Sequence, residues 1–165
     1  MSDSPQGQQG QTQKKPQKRR FGGTAQQIRS ALSFYKVLAY ATGVMLLLVV
    51  VEMIAKYGFG SDIIAGGTSA ATGETMILGF NNVAEQTITG GFNLSTAVLI
   101  VHGWMYVVYL IADFRLWSLM RWPFSRFILI ALGGVVPFLS FIVETRIHRQ
   151  TEAELAAHPE AAARY

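Results

Sequence analysis

The chain has 165 residues, half of them apolar, no Cys, and a formal net charge of +4. That length holds about one domain, and the missing thiol excludes disulfide frameworks, thiolate metal sites and Cys nucleophiles. The apolar residues come in long unbroken runs, without the period of an amphipathic helix or a half-buried strand, which argues against an ordinary soluble globule.

Residues 1–30 hold eight Gln, and five basic residues fall between Lys14 and Arg20. Such a segment buries too little apolar area to offset its ordering entropy, so a disordered, Gln-rich basic tail is expected. Lys14, Lys15, Lys18, Arg19 and Arg20 lie just before the first apolar run. There they can bind anionic lipid headgroups, at about 1 kcal/mol per basic residue, or act only as a topology signal. No base-reading element accompanies them, so nucleic acid is not an expected partner.

Val37 to Ala55 is apolar except for Thr42, Gly43 and Glu52. It is long enough to cross a hydrocarbon core of about 30 Å, and a first span is placed at 34–56. A cleaved secretory signal is a poorer reading, because the run exceeds an h-region and no small-residue cleavage site follows promptly. Residues 57–93 are rich in Gly and Thr, carry Asp62, Glu74 and Glu85, and lack Lys and Arg. They are read as an extracytoplasmic loop, long enough to be functional or mobile. A second span is placed at 94–119, with His102 and Asp113 inside it. A third, at 124–146, carries Pro137 near its middle. Residues 150–165 are read as a short polar tail, in which the capping-box spacing of Thr151 and Glu154 allows a short helix.

Lys and Arg mark the cytoplasmic side of a membrane protein. Seven precede Val37, and Arg115, Arg121 and Arg126 flank the turn between the second and third spans. The N-terminus and that turn are therefore expected in the cytoplasm and the 57–93 loop outside. Three spans then put the C-terminus outside, against the preference of Arg146 and Arg149. Trp117 and Trp122 would sit at the inner interface and Tyr57 and Phe59 at the outer one, as an aromatic belt.

The second span carries a polar stripe. His102, Tyr106, Tyr109 and Asp113 stand at i, i+4, i+7 and i+11 on one helix face, and Ser95 continues it. Gly133, Pro137, Ser140 and Glu144 repeat these offsets on the third. Depth matching in an antiparallel hairpin sets His102 level with Ser140, Tyr109 with Gly133, and Asp113 about a turn from Arg126. The same matching for the first span brings Glu52, His102, Ser140 and Glu144 together in the outer leaflet. Pro137 deprives the Gly133 carbonyl of its donor, and a neighbouring helix could supply one.

Ionisable groups inside a span face a partner or a water-filled cavity, so the stripe reads as interhelical glue or as a proton or ion pathway. Local alternatives exist. Glu52 and Lys56 have the spacing of a helical ion pair, Glu144 and Arg146 could reach headgroups, and His102 could donate to a neighbour's carbonyl. One His with acids on separate helices is a poor metal set, and neither metal nor cofactor is expected.

Three segments carry a family resemblance. Phe34-Tyr-Lys-Val-Leu-Ala-Tyr-Ala-Thr-Gly43 with Val-Glu52-Met-Ile-Ala-Lys56-Tyr57 resembles the first helix of a small actinobacterial integral-membrane domain family of unknown function. His102-Gly-Trp-Met-Tyr106-Val-Val-Tyr109-Leu resembles its second-helix signature, and Arg121-Trp-Pro123 and Pro137-Phe-Leu-Ser-Phe-Ile-Val-Glu144 its third. The resemblance spans 34–149 and implies a three-helix membrane fold with no assigned activity. It also implies that residues 59–93 are an insertion, and that some members carry Glu in place of Thr42.

No P-loop, GxSxG or HExxH motif is present. The sequence therefore predicts an all-α, three-helix transmembrane bundle. Its expected role is that of a non-enzymatic plasma-membrane protein, an accessory subunit of a larger envelope or respiratory assembly. Three short helices bury little area, which favours other membrane proteins or self-association as partners. The alternatives are a small transporter or proton-conducting oligomer using the His102–Asp113 stripe, and a membrane enzyme acting on lipid.

Overall fold

The computed structural model describes residues 20–82 and 84–163. Lys14, Lys15, Lys18 and Arg19 lie outside the described residues. Order begins earlier than the composition suggests. Phe21 is buried, and the Gly22 N–H donates to the Leu119 carbonyl at 2.6 Å. A Cβ at position 22 would stand 2.8 Å from the Ser118 carbonyl oxygen, so only glycine allows this approach. The expected disordered tail therefore does not extend through residue 30. Helix α1 (Ala25–Met53) opens on a capping box, in which Thr24 and Gln27 each accept from the other's backbone N–H. It continues into a π-helical turn at Ile54–Gly58.

The segment read as a loop contains β-structure, which corrects the all-α expectation. Strands β1 (Ser61–Ala65), β3 (Leu78–Asn82) and β5 (Phe92–Asn93) form an antiparallel sheet in the order β3-β1-β5. Strands β2 (Thr68–Ser69) and β4 (Ile88–Thr89) form a second pair. Glycines at positive φ make the reversals between strands, as at Gly66 (φ 73°) and Gly91 (φ 83°). Ile64 and Ile88 are buried beneath them. Strand β5 runs directly into α2 (Leu94–Met120), whose N-cap Asn93 accepts from the Thr96 N–H at 2.8 Å.

Helices α1 and α2 are both long and apolar enough to cross a membrane. They run antiparallel, with Gly22 beside Leu119, Tyr35 against Tyr109 and Glu52 against Ser95. The end of the bundle where α1 starts is called the lower end below, and the sheet sits on the upper end.

The third expected helix, 124–146, is broken in two. Helix α3 (Phe124–Gly133) has ten residues, about 15 Å of rise. It stops at Gly133-Gly134, and Pro137 cannot donate a continuing helical bond. Phe138 takes a left-handed conformation at φ 64°, which is rare for a bulky side chain. Helix α4 (Leu139–Ala157) then returns toward the lower end, antiparallel to α1. Ser140 Oγ donates to the Ala39 carbonyl at 2.7 Å, and Arg29 pairs with Glu152 at 3.4 Å. Arg126 pairs with Glu154 at 3.3 Å, so α3 and α4 close as a hairpin.

Two expectations are corrected by this return. Residues 150–163 lie at the lower end with the start of α1, not at the opposite end. The tail is helical, as the Thr151–Glu154 spacing allowed, but that spacing caps nothing: Thr151 lies inside α4, where Val143, Ile147, Thr151 and Leu155 form a buried stripe at i, i+4, i+8 and i+12. A short helix α5 (Pro159–Ala163) follows.

Candidate functional site

The α2 stripe meets the end of α3. Tyr109 is fully buried, and its hydroxyl donates to the Ile130 carbonyl at 2.6 Å. Tyr106 donates to the Ala131 carbonyl at 3.1 Å. The Gly134 N–H, which a continuing helix would give to Ile130, turns to Ala131 instead. Tyr109 thus serves the Ile130 carbonyl, which the helix end leaves without its helical donor, and Tyr106 adds a second bond to the Ala131 carbonyl. Small residues make room for them: a Cβ at Gly134 would stand 2.5 Å from the Tyr106 ring, and one at Gly133 3.1 Å from the Tyr109 hydroxyl. Tyr109→Phe is expected to cost about 1–2 kcal/mol of stability, read as a lower unfolding midpoint in detergent. An unchanged midpoint would mean that the α3 end finds another donor.

Below this contact lies a buried polar cluster. Asp113 is 0% exposed, and neither of its carboxylate oxygens has a hydrogen-bond partner among the described residues. The Tyr35 side chain is likewise buried and faces Tyr109, with the two rings 5.7 Å apart. Asp113 and Glu144 both lie within electrostatic range of Tyr35. Glu144 is buried, and its Oε1 stands 4.0 Å from His148 Nδ1. Away from this cluster, Thr42 toward the upper end and Thr151 toward the lower end carry buried, unpartnered hydroxyls. The residues come from α1, α2 and α4, and unpaired buried polar groups of this kind are expensive to keep.

Some expected partners do not meet. His102 stacks on Tyr106 with ring centroids 6.4 Å apart, and its Nδ1 is buried without a partner. Ser140 goes to Ala39 rather than to His102. Glu52 accepts a hydrogen bond from Ser95 Oγ, which itself accepts the Ile63 N–H at 2.9 Å. Glu52, His102, Ser140 and Glu144 therefore do not converge, because the reversal after Gly133 carries Glu144 away from Glu52. Lys56 pairs with Asp62 on β1 at 3.2 Å, where the helical reading gave it Glu52. Arg126, expected near Asp113, lies over the Trp122 ring and binds Glu154. Trp122 Nε1 also donates to Glu154, and Trp117 Nε1 donates to the Pro123 carbonyl at 3.3 Å. The Glu154 knot escaped the sequence reading; its signal was the α4 stripe ending at Leu155. Tyr57 and Phe59 are exposed at the upper end. Among the described residues, no group of three His, Asp or Glu side chains could hold a metal ion.

A family described as a domain of unknown function, DUF3817, matches residues 32–149. An uncharacterised protein of Mycobacterium tuberculosis, Rv1342c, is 27% identical over 127 residues, which cover 77% of this chain and 78% of the relative. An uncharacterised protein of Mycobacterium leprae, ML1176, is 27% identical over 124 residues, covering 75% of each chain. No solved structure matches.

Proposed function

The chain belongs to the DUF3817 family, a domain of unknown function, and from that premise we propose that it is a non-enzymatic plasma-membrane protein, an accessory subunit of a larger membrane assembly. In this reading α1 and α2 span the bilayer and α3–α4 dips into it from the cytoplasmic side. The basic residues before Val37, in the α2–α3 turn and at Arg146 and Arg149 then all face the cytoplasm, in keeping with the positive-inside rule. The sheet between α1 and α2, without Lys or Arg, faces outward.

The observation that carries the subunit reading is how little of the two long helices the chain covers. Trp104 is 71% exposed, and Leu99, Ile111 and Phe114 are also exposed along α2. Lipid can cover such surfaces, and so can the helices of a partner. Purification in mild detergent, followed by identification of co-migrating proteins, tests this. A stoichiometric complex with other membrane proteins is the expected result, and a lone homo-oligomer would refute it. A second reading, a small proton-exchanging oligomer, draws support from the buried, unpartnered Asp113 beside Tyr35 and Glu144. Buried ionisable groups of this kind mark proton relays in many membrane proteins. Proton flux into vesicles containing the purified chain, abolished by Asp113→Asn, would favour it.

A further inference from the structure

Helix α4 presents an outward groove lined by Phe141, Ile142, Thr145, Arg146, Arg149 and Gln150. Its chemistry is graded along the helix axis. Phe141 and Ile142 are apolar and lie toward the upper end, while Arg146 and Arg149 follow one and two turns lower. Phe141, Thr145 and Arg149 share one face at i, i+4 and i+8, with Ile142 and Arg146 on the adjoining row. The contact of Ser140 with Ala39 and the pairing of Glu152 with Arg29 fix the height of this segment. Residues 146–149 of α4 therefore run alongside the stretch of α1 that precedes Val37, where its apolar run begins.

Both arginines are exposed, and neither is in an ion pair among the described residues. Of their acidic neighbours, Glu144 is buried, Glu152 pairs with Arg29, and Glu154 pairs with Arg126. Helix α1 adds a third cation at the same margin. The Tyr40 ring packs 5.6 Å from that of Phe141. Lys36, one turn below Tyr40 on the same α1 face, is exposed.

We propose that this groove binds one anionic phospholipid of the cytoplasmic leaflet, its phosphate on Arg146 and Arg149 and an acyl chain along Phe141 and Ile142. Guanidinium groups match phosphate oxygens in a fork geometry. Basic pockets on the cytoplasmic side of membrane helices hold anionic headgroups by this chemistry. The site is built from residues other than Lys14–Arg20 and rests on the membrane reading above.

The test is native mass spectrometry of the full chain, extracted from membranes in mild detergent and titrated with dioleoyl phosphatidylglycerol or dioleoyl phosphatidylcholine. The expected result is one retained phosphatidylglycerol per chain, with phosphatidylcholine retained far less. Arg146→Gln with Arg149→Gln should lower that retention roughly tenfold or more, with the unfolding midpoint unchanged. Replacing Lys14, Lys15, Lys18, Arg19 and Arg20 with Gln should leave it intact. Equal retention of the two lipids, or retention unaffected by loss of the arginines, overturns the proposal. So does displacement of the lipid by millimolar glycerol 3-phosphate, which would mark a site for free phosphates. Recovery of the chain in the soluble fraction without detergent would refute the membrane reading itself, whereas a membrane-extracted chain with no preference refutes only this site.

Discussion

A reporter fused after Ala157 should read the same side of the membrane as one fused before Ala25, and the opposite side from one placed between Ser61 and Asn93. The effect is all or none. Three hydrocarbon crossings would put the two ends on opposite sides, and the α3–α4 hairpin puts them together. The reversal is held by more than the turn itself. Arg126 and Trp122 both bind Glu154, and Arg29 binds Glu152, so the last turns of α4 are tied to both α1 and the α2–α3 turn. The Ala39 carbonyl, bonded by Ser140, fixes the start of α4 as well. Paired-cysteine crosslinking in this Cys-free chain gives an independent readout. Crosslinks between positions 29 and 152, and between 39 and 140, are expected to form efficiently. Opposite readings from the two fusions, with both crosslinks missing, would restore a third span.

Replacing Asp113 is expected to raise stability, an unusual sign for a fully buried position. Most core substitutions destabilise, because they open a cavity or force repacking. At Asp113 the native residue carries the larger liability, a carboxyl with both oxygens unpartnered among the described residues. Apolar replacement of buried ion pairs is often neutral or stabilising by about 1–4 kcal/mol when the volume fits, and a lone buried carboxyl has no partner to offset its desolvation. Asp113→Leu should fall in that range, and Asp113→Asn should gain less, since an amide still carries polar atoms. The measurement is the unfolding midpoint of each variant in one detergent. A loss of more than about 1 kcal/mol in both would show that Asp113 has a partner, such as an ordered water, whose bond is worth keeping. A gain, joined to loss of function in cells, would place Asp113 among residues retained for activity at the expense of stability.

The two long helices were legible because their signal is length. The expected spans of 34–56 and 94–119 lie close to α1 with its π-helical turn and to α2. The offsets of Tyr106 and Tyr109 were enough to turn both phenols toward the third apolar segment. The reversal within that segment was not legible from composition. Apolar residues continue on both sides of Pro137, and a kink and a hairpin draw on the same sequence. The clue lay in Arg146 and Arg149, which conflict with an outside C-terminus and agree with a return. The sheet was hidden by its shortness: two-residue strands among glycines carry almost no period-two pattern. Once the sheet was missed, Ser95 and Asp62 could not be matched to Glu52 and Lys56, because those pairings depend on how β1 is seated above the helices.

Because the described ends of the chain leave from one end of the bundle, two copies can be joined head to tail without inverting either. A gene duplication with in-frame fusion would yield a parallel tandem, with both sheets on one face and both hairpins on the other. A protein with an odd number of crossings has no such route, since its second copy would have to insert upside down or gain an extra helix. The hairpin between Phe124 and Ala157 thus keeps such a fusion parallel. Such a chain would present two equivalent α2 surfaces side by side, in fixed stoichiometry.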